Sequence, residues 1–133
     1  ADKINGIETI YPIGTYDFVK ITGKKVLELV EYINYENLAH PSAGLNIVFK
    51  NNDITNISIK ENEFDVSKNY YVLTSNFLQE GGDKMVFFAN PIELYSLDLN
   101  LREVLIKYIQ SKKEIIGKLD NRIIRLKWKE DIF

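Results

Sequence analysis

Apolar residues recur along this chain in two rhythms, and the switches between them set the order of elements it predicts. Residues 15–21, Thr-Tyr-Asp-Phe-Val-Lys-Ile, are rich in aromatic and β-branched side chains and predict a strand. Val26, Leu29, Val30 and Ile33 then fall three and four apart, which places them on one face of a helix over residues 23–34. Thr22 stands just before that helix as an N-cap, its hydroxyl able to accept a first-turn N–H that has no intrahelical partner. Residues 35–44 hold Asn, His, Pro, Ser and Gly and predict a loop.

Period-two alternation returns at residues 45–50 and 54–60, two strands joined by Asn51-Asn52-Asp53. Ile57 and Ile59 alternate with polar neighbours, as in a sheet with one buried face. A further strand is predicted over residues 70–75. Two adjacent glycines then make residues 76–83 a tight loop. Asp98 or Asn100 can cap a second helix that reaches about residue 110, with Leu101, Val104, Leu105, Tyr108 and Ile109 as its apolar stripe. Gly117 closes that region. The last strand, residues 122–128, places Ile124, Leu126 and Trp128 on one face and Arg125 and Lys127 on the other. Strands and helices mix without a strict βαβ rhythm, and the central pair looks like a hairpin. The fold class predicted is α+β: a single domain over residues 1–133, with a mixed or antiparallel sheet packed with helices.

Composition narrows the functions open to such a domain. Hydrophobic residues make up 45% of the 133 and charged residues 27%, enough to bury a sizeable core. The net charge of -2 lacks the basic excess of a nucleic-acid polymer binder, but leaves room for one small anionic ligand held by a few donors. With no cysteine, disulfides, thiolate metal sites and thiol catalysis are excluded. The one histidine, His40, precedes Pro41 in a predicted turn. A two-metal hydrolytic site needs several His and carboxylate ligands, so the chain is expected to hold no metal or other cofactor and to be inactive by itself. No basic start followed by an apolar run marks a signal peptide, and no stretch approaches the ~20 apolar residues of a membrane span. The chain starts at Ala1 rather than Met, compatible with a mature product or an excised piece.

From the residues alone, the segment Asn76-Phe77-Leu78-Gln79-Glu80-Gly81-Gly82-Asp83 stands out. Phe77 is either a core residue at a strand end or a flat face for a flat ligand. Gly81-Gly82 reads as a turn that can also bring backbone close to a ligand. Asp83 is either the N-cap of a helix starting at Lys84 or an acceptor for ligand hydroxyls.

This segment resembles the signature of the C-terminal domain of the 5'-nucleotidase family, where an Asn or Asp, an aromatic and a short spacer lead into Gly-Gly-Asp. Four other segments resemble the family in order: Tyr70-Tyr71-Val72-Leu73-Thr74-Ser75, the strand before the signature; Tyr11-Pro12-Ile13-Gly14 with Ile21-Thr22-Gly23-Lys24-Lys25-Val26, its Pro-Phe-Gly turn, strand and helix; Ser42-Ala43-Gly44-Leu45, its entry into the middle strands; and Leu119-Asp120-Asn121-Arg122-Ile123, its closing Gly-Arg-Ile.

The resemblance implies a domain that recognises the base and ribose of a nucleoside or nucleotide. A separate metallophosphatase domain, in cis or in trans, would carry divalent metals such as Zn or Mn and hydrolyse the phosphate. Phe77 would stack on the base, Asp83 would accept from the ribose hydroxyls, and Gly81, Gly82 and Asn76 would shape the loop. Ile13 stands where the family places a second stacking aromatic, and Thr15 where some members face the base edge. Lys84 replaces the glycine that follows the family's Asp. Residues 1–10 contain no arginine and no Gly-Gly pair, so the family's Asn-Gly-Gly-Xaa-Arg segment and its phosphate contacts are expected to be absent from this chain. The resemblance also implies a periplasmic, cell-surface or secreted location. The alternative is a non-catalytic binding or interaction module that kept the fold.

Overall fold

The computed structural model describes residues 14–36, 41–112, 114, 116–118 and 120–127; His40, Ile13, Tyr11 and Trp128 lie outside them. Strand β1 (Thr15–Thr22) takes the centre of a three-stranded antiparallel sheet between β5 (Asn69–Ser75) and β6 (Glu93–Asn100). Its alternation explains the placement. Asp17, Val19 and Ile21 are buried on one face, while Phe18 and Lys20 point to the other. The second sheet has four strands in the order β4-β3-β2-β7: β2 (Leu45–Lys50), β3 (Asp53–Ile59), β4 (Asn62–Glu63) and β7 (Ile123–Leu126). β2 and β3 are antiparallel, and β7 lies parallel to β2 with Ile47 opposite Ile123. The architecture is the expected mixed α+β arrangement, divided between two sheets.

One helix serves both. Helix α1 (Gly23–Glu36) starts where Thr22 ends β1, and the Thr22 hydroxyl accepts the Lys25 N–H at 3.2 Å. Val26 joins Val19, Ile21, Met85, Phe87 and Phe88 in a core against the three-stranded sheet. One turn on, Val30 and Ile33 join Ile47, Phe49 and Ile57 against the four-stranded sheet. Burying each such side chain contributes roughly 1.5–3 kcal/mol, so the helical stripe ties the two sheets together. A single helical turn, α2 (Asn76–Gln79), follows β5, and a longer helix, α3 (Leu101–Lys112), follows β6.

The turns follow from backbone chemistry. Asn51 and Asn52 both take positive φ, 51° and 68°, as a two-residue hairpin turn of the primed type requires. The connection is thus one residue shorter than the sequence suggests, and Asp53 already belongs to β3.

Three expectations are corrected. Strand β6 stands where the sequence predicts no element; it pairs along β1, with Tyr95 opposite Phe18, and leaves Leu94, Tyr95 and Leu99 46%, 50% and 50% exposed. Tyr95, Leu97 and Leu99 alternate with Ser96, Asp98 and Asn100, but the exposure of the strand does not follow that alternation. Helix α3 is capped by Asn100, whose side-chain oxygen accepts the Glu103 N–H at 3.2 Å; the cap is not Asp98. No residue of α3 is buried, because the helix packs on an edge strand, and Val104 and Tyr108 of its predicted stripe face solvent. On β7 the faces are reversed. Ile123 packs into the second core and Arg125 points the same way, its guanidinium 4.5 Å from the Phe49 ring centre and bonded to the Asn34 side chain at 2.9 Å, while Leu126 is exposed. The long arginine stem covers apolar surface while its head finds polar partners at the helix end.

Arg122, just before β7, holds Asp120 in an ion pair of 2.6 Å and also donates to the Ser42 carbonyl, linking β7 to the lead-in of β2. Hydrogen bonds from Arg122 pull the pKa of the Asp120 carboxyl down to about 2. Among the described residues no helix is long and apolar enough to cross a membrane.

Candidate functional site

The segment singled out in the sequence sits at the end of β5 and is more ordered than a plain loop. Its first four residues form α2, capped by Ser75, whose hydroxyl accepts the Leu78 N–H at 3.2 Å. That turn divides the roles of its side chains. Leu78 packs against the first core, while Phe77 projects outward and is 44% exposed. Phe77 is therefore not a core residue.

Gly81 ends the turn with φ 99°, a left-handed conformation that glycine adopts without steric cost. The glycine after it is needed for a different reason. A Cβ on Gly82 would lie 2.5 Å from Cε1 of Phe77 and nearer still to other ring atoms. The aromatic ring thus rests on the bare backbone of Gly82, which covers part of it and leaves the rest open.

Asp83 and Lys84 follow with φ 53° and 63°, both left-handed, and both residues are exposed. This removes the N-cap reading of Asp83: its side chain caps no helix, and the short 3-10 turn at Val86–Phe88 starts from Met85 instead. Lys84 occupies a backbone conformation that favours glycine. Replacing it, as Lys84→Gly, should relieve roughly 1 kcal/mol of steric cost, partly offset by the greater freedom of glycine in the unfolded chain. Thermal unfolding should show a slightly raised midpoint; a lower midpoint would mean that the lysine side chain itself holds the turn.

Asn76 joins this loop to the start of β1. Its side-chain oxygen accepts the Thr15 N–H at 3.2 Å and lies against Gly14, where a Cβ would come within 2.8 Å of it. The Gly14 carbonyl in turn accepts the Leu101 N–H at 2.9 Å. Residues far apart in sequence, Thr15, Asn76, Phe77, Gly81, Gly82 and Asp83, are thus held in one region, whereas Ile13 lies outside the described residues.

One participant has no signal in the sequence. Tyr32, on α1, donates its hydroxyl proton to the Asp83 carbonyl at 2.8 Å. Its ring is seated edge-on against buried Phe87, 5.6 Å between centres. Partial burial, and then the nearby Glu36 and Asp83 carboxylates, raise its pKa above the ordinary tyrosine value, so the donor proton stays in place near neutral pH. The two positions are 51 residues apart, too far for any local pattern to link them.

The chemistry available is recognition. An open aromatic ring can stack on a flat ligand, and an exposed carboxylate on the same loop can accept two vicinal hydroxyls. Among the described residues no three His, Cys, Asp or Glu side chains gather as metal ligands, so a two-metal phosphatase centre does not fit on them.

A family model described as "5'-nucleotidase, C-terminal domain" matches residues 4–90. No curated protein matches the chain in sequence. Among solved structures, the 5'-nucleotidase precursor of Thermus thermophilus is similar over 85% of this chain and 25% of its own, with TM-score 0.72 and 22% identity. NAD nucleotidase of Haemophilus influenzae is similar over 95% of this chain and 26% of its own, with TM-score 0.72 and 16% identity. For a putative 5'-nucleotidase of Staphylococcus aureus the shares are 87% and 28%, with TM-score 0.62 and 12% identity. The chain therefore spans about a quarter of the length of these structures.

Proposed function

The chain belongs to the family of 5'-nucleotidase C-terminal domains, and from that premise we propose that it is the part of a nucleotide phosphohydrolase that recognises base and ribose. The observation that carries this reading is the Phe77–Gly82 contact: an aromatic ring presented to solvent at 44% exposure and backed by its own loop. The neighbouring Leu78 packs into the core, so the single turn of α2 separates an inward side chain from the outward ring. The base stacks on the open part of the Phe77 ring, and the Asp83 carboxylate accepts from the ribose hydroxyls. Asn76 keeps the loop in register with Gly14 and Thr15 through the Thr15 N–H. Hydrolysis belongs to a metallophosphatase domain in cis or in trans, and the divalent metals, such as Zn or Mn, belong to that domain. There they would activate a water and polarise the phosphate. This chain's residues bind and orient the nucleoside. A nucleotide-scavenging role outside the cytoplasm accords with the family.

Titration of the 133-residue chain with adenosine, AMP and 2'-deoxyadenosine by calorimetry tests the proposal. Saturable binding is expected, weaker for the deoxynucleoside. Phe77→Ala should cost about 1–3 kcal/mol, the usual worth of one aromatic–base stack, and Asp83→Ala should remove the preference for ribose. Absence of binding at millimolar ligand would reject the reading and favour an interaction module that kept the fold.

A further inference from the structure

We propose that Tyr32 is a positioning residue that aims the Asp83 carboxylate and thereby sets the site's preference for ribose over deoxyribose; this rests on the base-and-ribose reading above. Asp83 sits at φ 53° and Lys84 after it at 63°, so two consecutive residues with side chains are held left-handed. L-residues leave that region readily unless something fixes them. A 3-10 turn over Gly82–Lys84 supplies one tie, the Met85 N–H donating to the Gly82 carbonyl at 3.0 Å, but that bond closes around Asp83 and leaves its own carbonyl unfixed. The Tyr32 hydroxyl supplies the missing tie, at 2.8 Å from that carbonyl.

The donor is well seated for the task. Tyr32 stands on the helix that joins both sheets, and its ring meets Phe87, which is 3% exposed. It therefore transmits the position of the core to the tip of the loop. Rotating the Asp83 peptide toward the right-handed region would break the bond and swing the carboxylate with the backbone, whereas Phe77 is held separately by α2 and Gly82. Loss of the Tyr32 hydroxyl should thus disturb the carboxylate's contacts and spare the stacking contact.

The test compares Tyr32→Phe with the parent chain, using adenosine and 2'-deoxyadenosine, in the parent and the Asp83→Ala backgrounds. The phenylalanine ring preserves the packing on Phe87, so the thermal midpoint should stay close to that of the parent. Adenosine affinity should fall about fivefold, deoxyadenosine affinity should change less than about twofold, and the ratio between them should collapse accordingly. In the Asp83→Ala background, Tyr32→Phe should have no further effect on that ratio, which a general loosening of the loop would not reproduce. If the parent binds and depends on Phe77 but the ribose ratio is unchanged by Tyr32→Phe, the positioning role is refuted while the site stands. If the parent chain does not bind either nucleoside, the site reading fails and this inference falls with it.

Discussion

Gly23→Ala is expected to destabilise the fold by about 3 kcal/mol, the cost of forcing extra volume into a site that cannot yield. Gly23 opens α1 at the point where β1 turns into the helix, and its N–H donates to the Lys68 carbonyl at 2.7 Å. A Cβ there would lie 2.7 Å from the backbone carbon of Val66 and 2.8 Å from the Lys68 oxygen, with the Val66 oxygen closer still. These are backbone atoms of the segment that leads into β5, so relief requires moving the helix off the sheet. Since α1 carries both cores, such a movement is felt by both. The thermal midpoint should fall by roughly 10 °C on the scaling for domains near this size. Gly117→Ala is the control, because nothing stands within 4 Å of a Cβ there. Equal midpoints for the two variants would show that the 66–68 segment gives way easily and that the glycine is not a steric requirement.

Gly82→Ala should have the opposite profile, sparing the fold and removing function. Here the obstacle is the ring of Phe77, a side chain already 44% exposed and free to swing outward. The fold should therefore lose less than about 1 kcal/mol, while nucleoside affinity falls about tenfold or more as the ring leaves its place. Gly81→Ala separates this from mere strain in the loop. Its Cβ would meet nothing within 4 Å, so only the left-handed backbone opposes it, at roughly 1 kcal/mol. Binding that survives Gly82→Ala unchanged would mean that the Phe77 ring does not need its backbone seat, and would weaken the stacking proposal.

Local chemistry makes much of this fold legible. The Thr22 cap, the α1 stripe and the β2–β3 hairpin each depend on residues within a few positions and stand where the sequence places them, and Asn100 is one of the two caps the sequence offers for α3. What escapes depends on distant partners. β6 exists because β1, far earlier in the chain, offers it an edge, and its own side chains do not alternate in exposure. Arg125 looks solvent-facing until Phe49 and Asn34 supply a ring and an amide to receive it. α2 is four residues long, too short to show a period. At the site, Phe77, Gly81, Gly82 and Asp83 are legible through a contiguous motif. The Asn76–Thr15 bond bridges 61 residues and the Tyr32–Asp83 bond 51, and neither leaves a mark on the sequence.

The strand order of the first sheet also bears on how the chain reaches this state. β1 is the first described strand and the central one, yet its partners come much later in the chain, with Phe18 opposite Leu73 on one side and Tyr95 on the other. During synthesis at ~5–20 residues per second, Phe18 would wait roughly 4–15 s for Tyr95 to emerge. In that interval the β2–β3 hairpin can form within about 1–10 μs of its completion, and α1 sooner. Until β5 emerges, the apolar face of β1 has no sheet to join and both its edges are open to any other strand; after that, the edge that β6 will take stays open. The ribosome exit and whatever receives the chain there thus meet a polypeptide whose hairpin and helix are ready, and whose central strand still needs shelter.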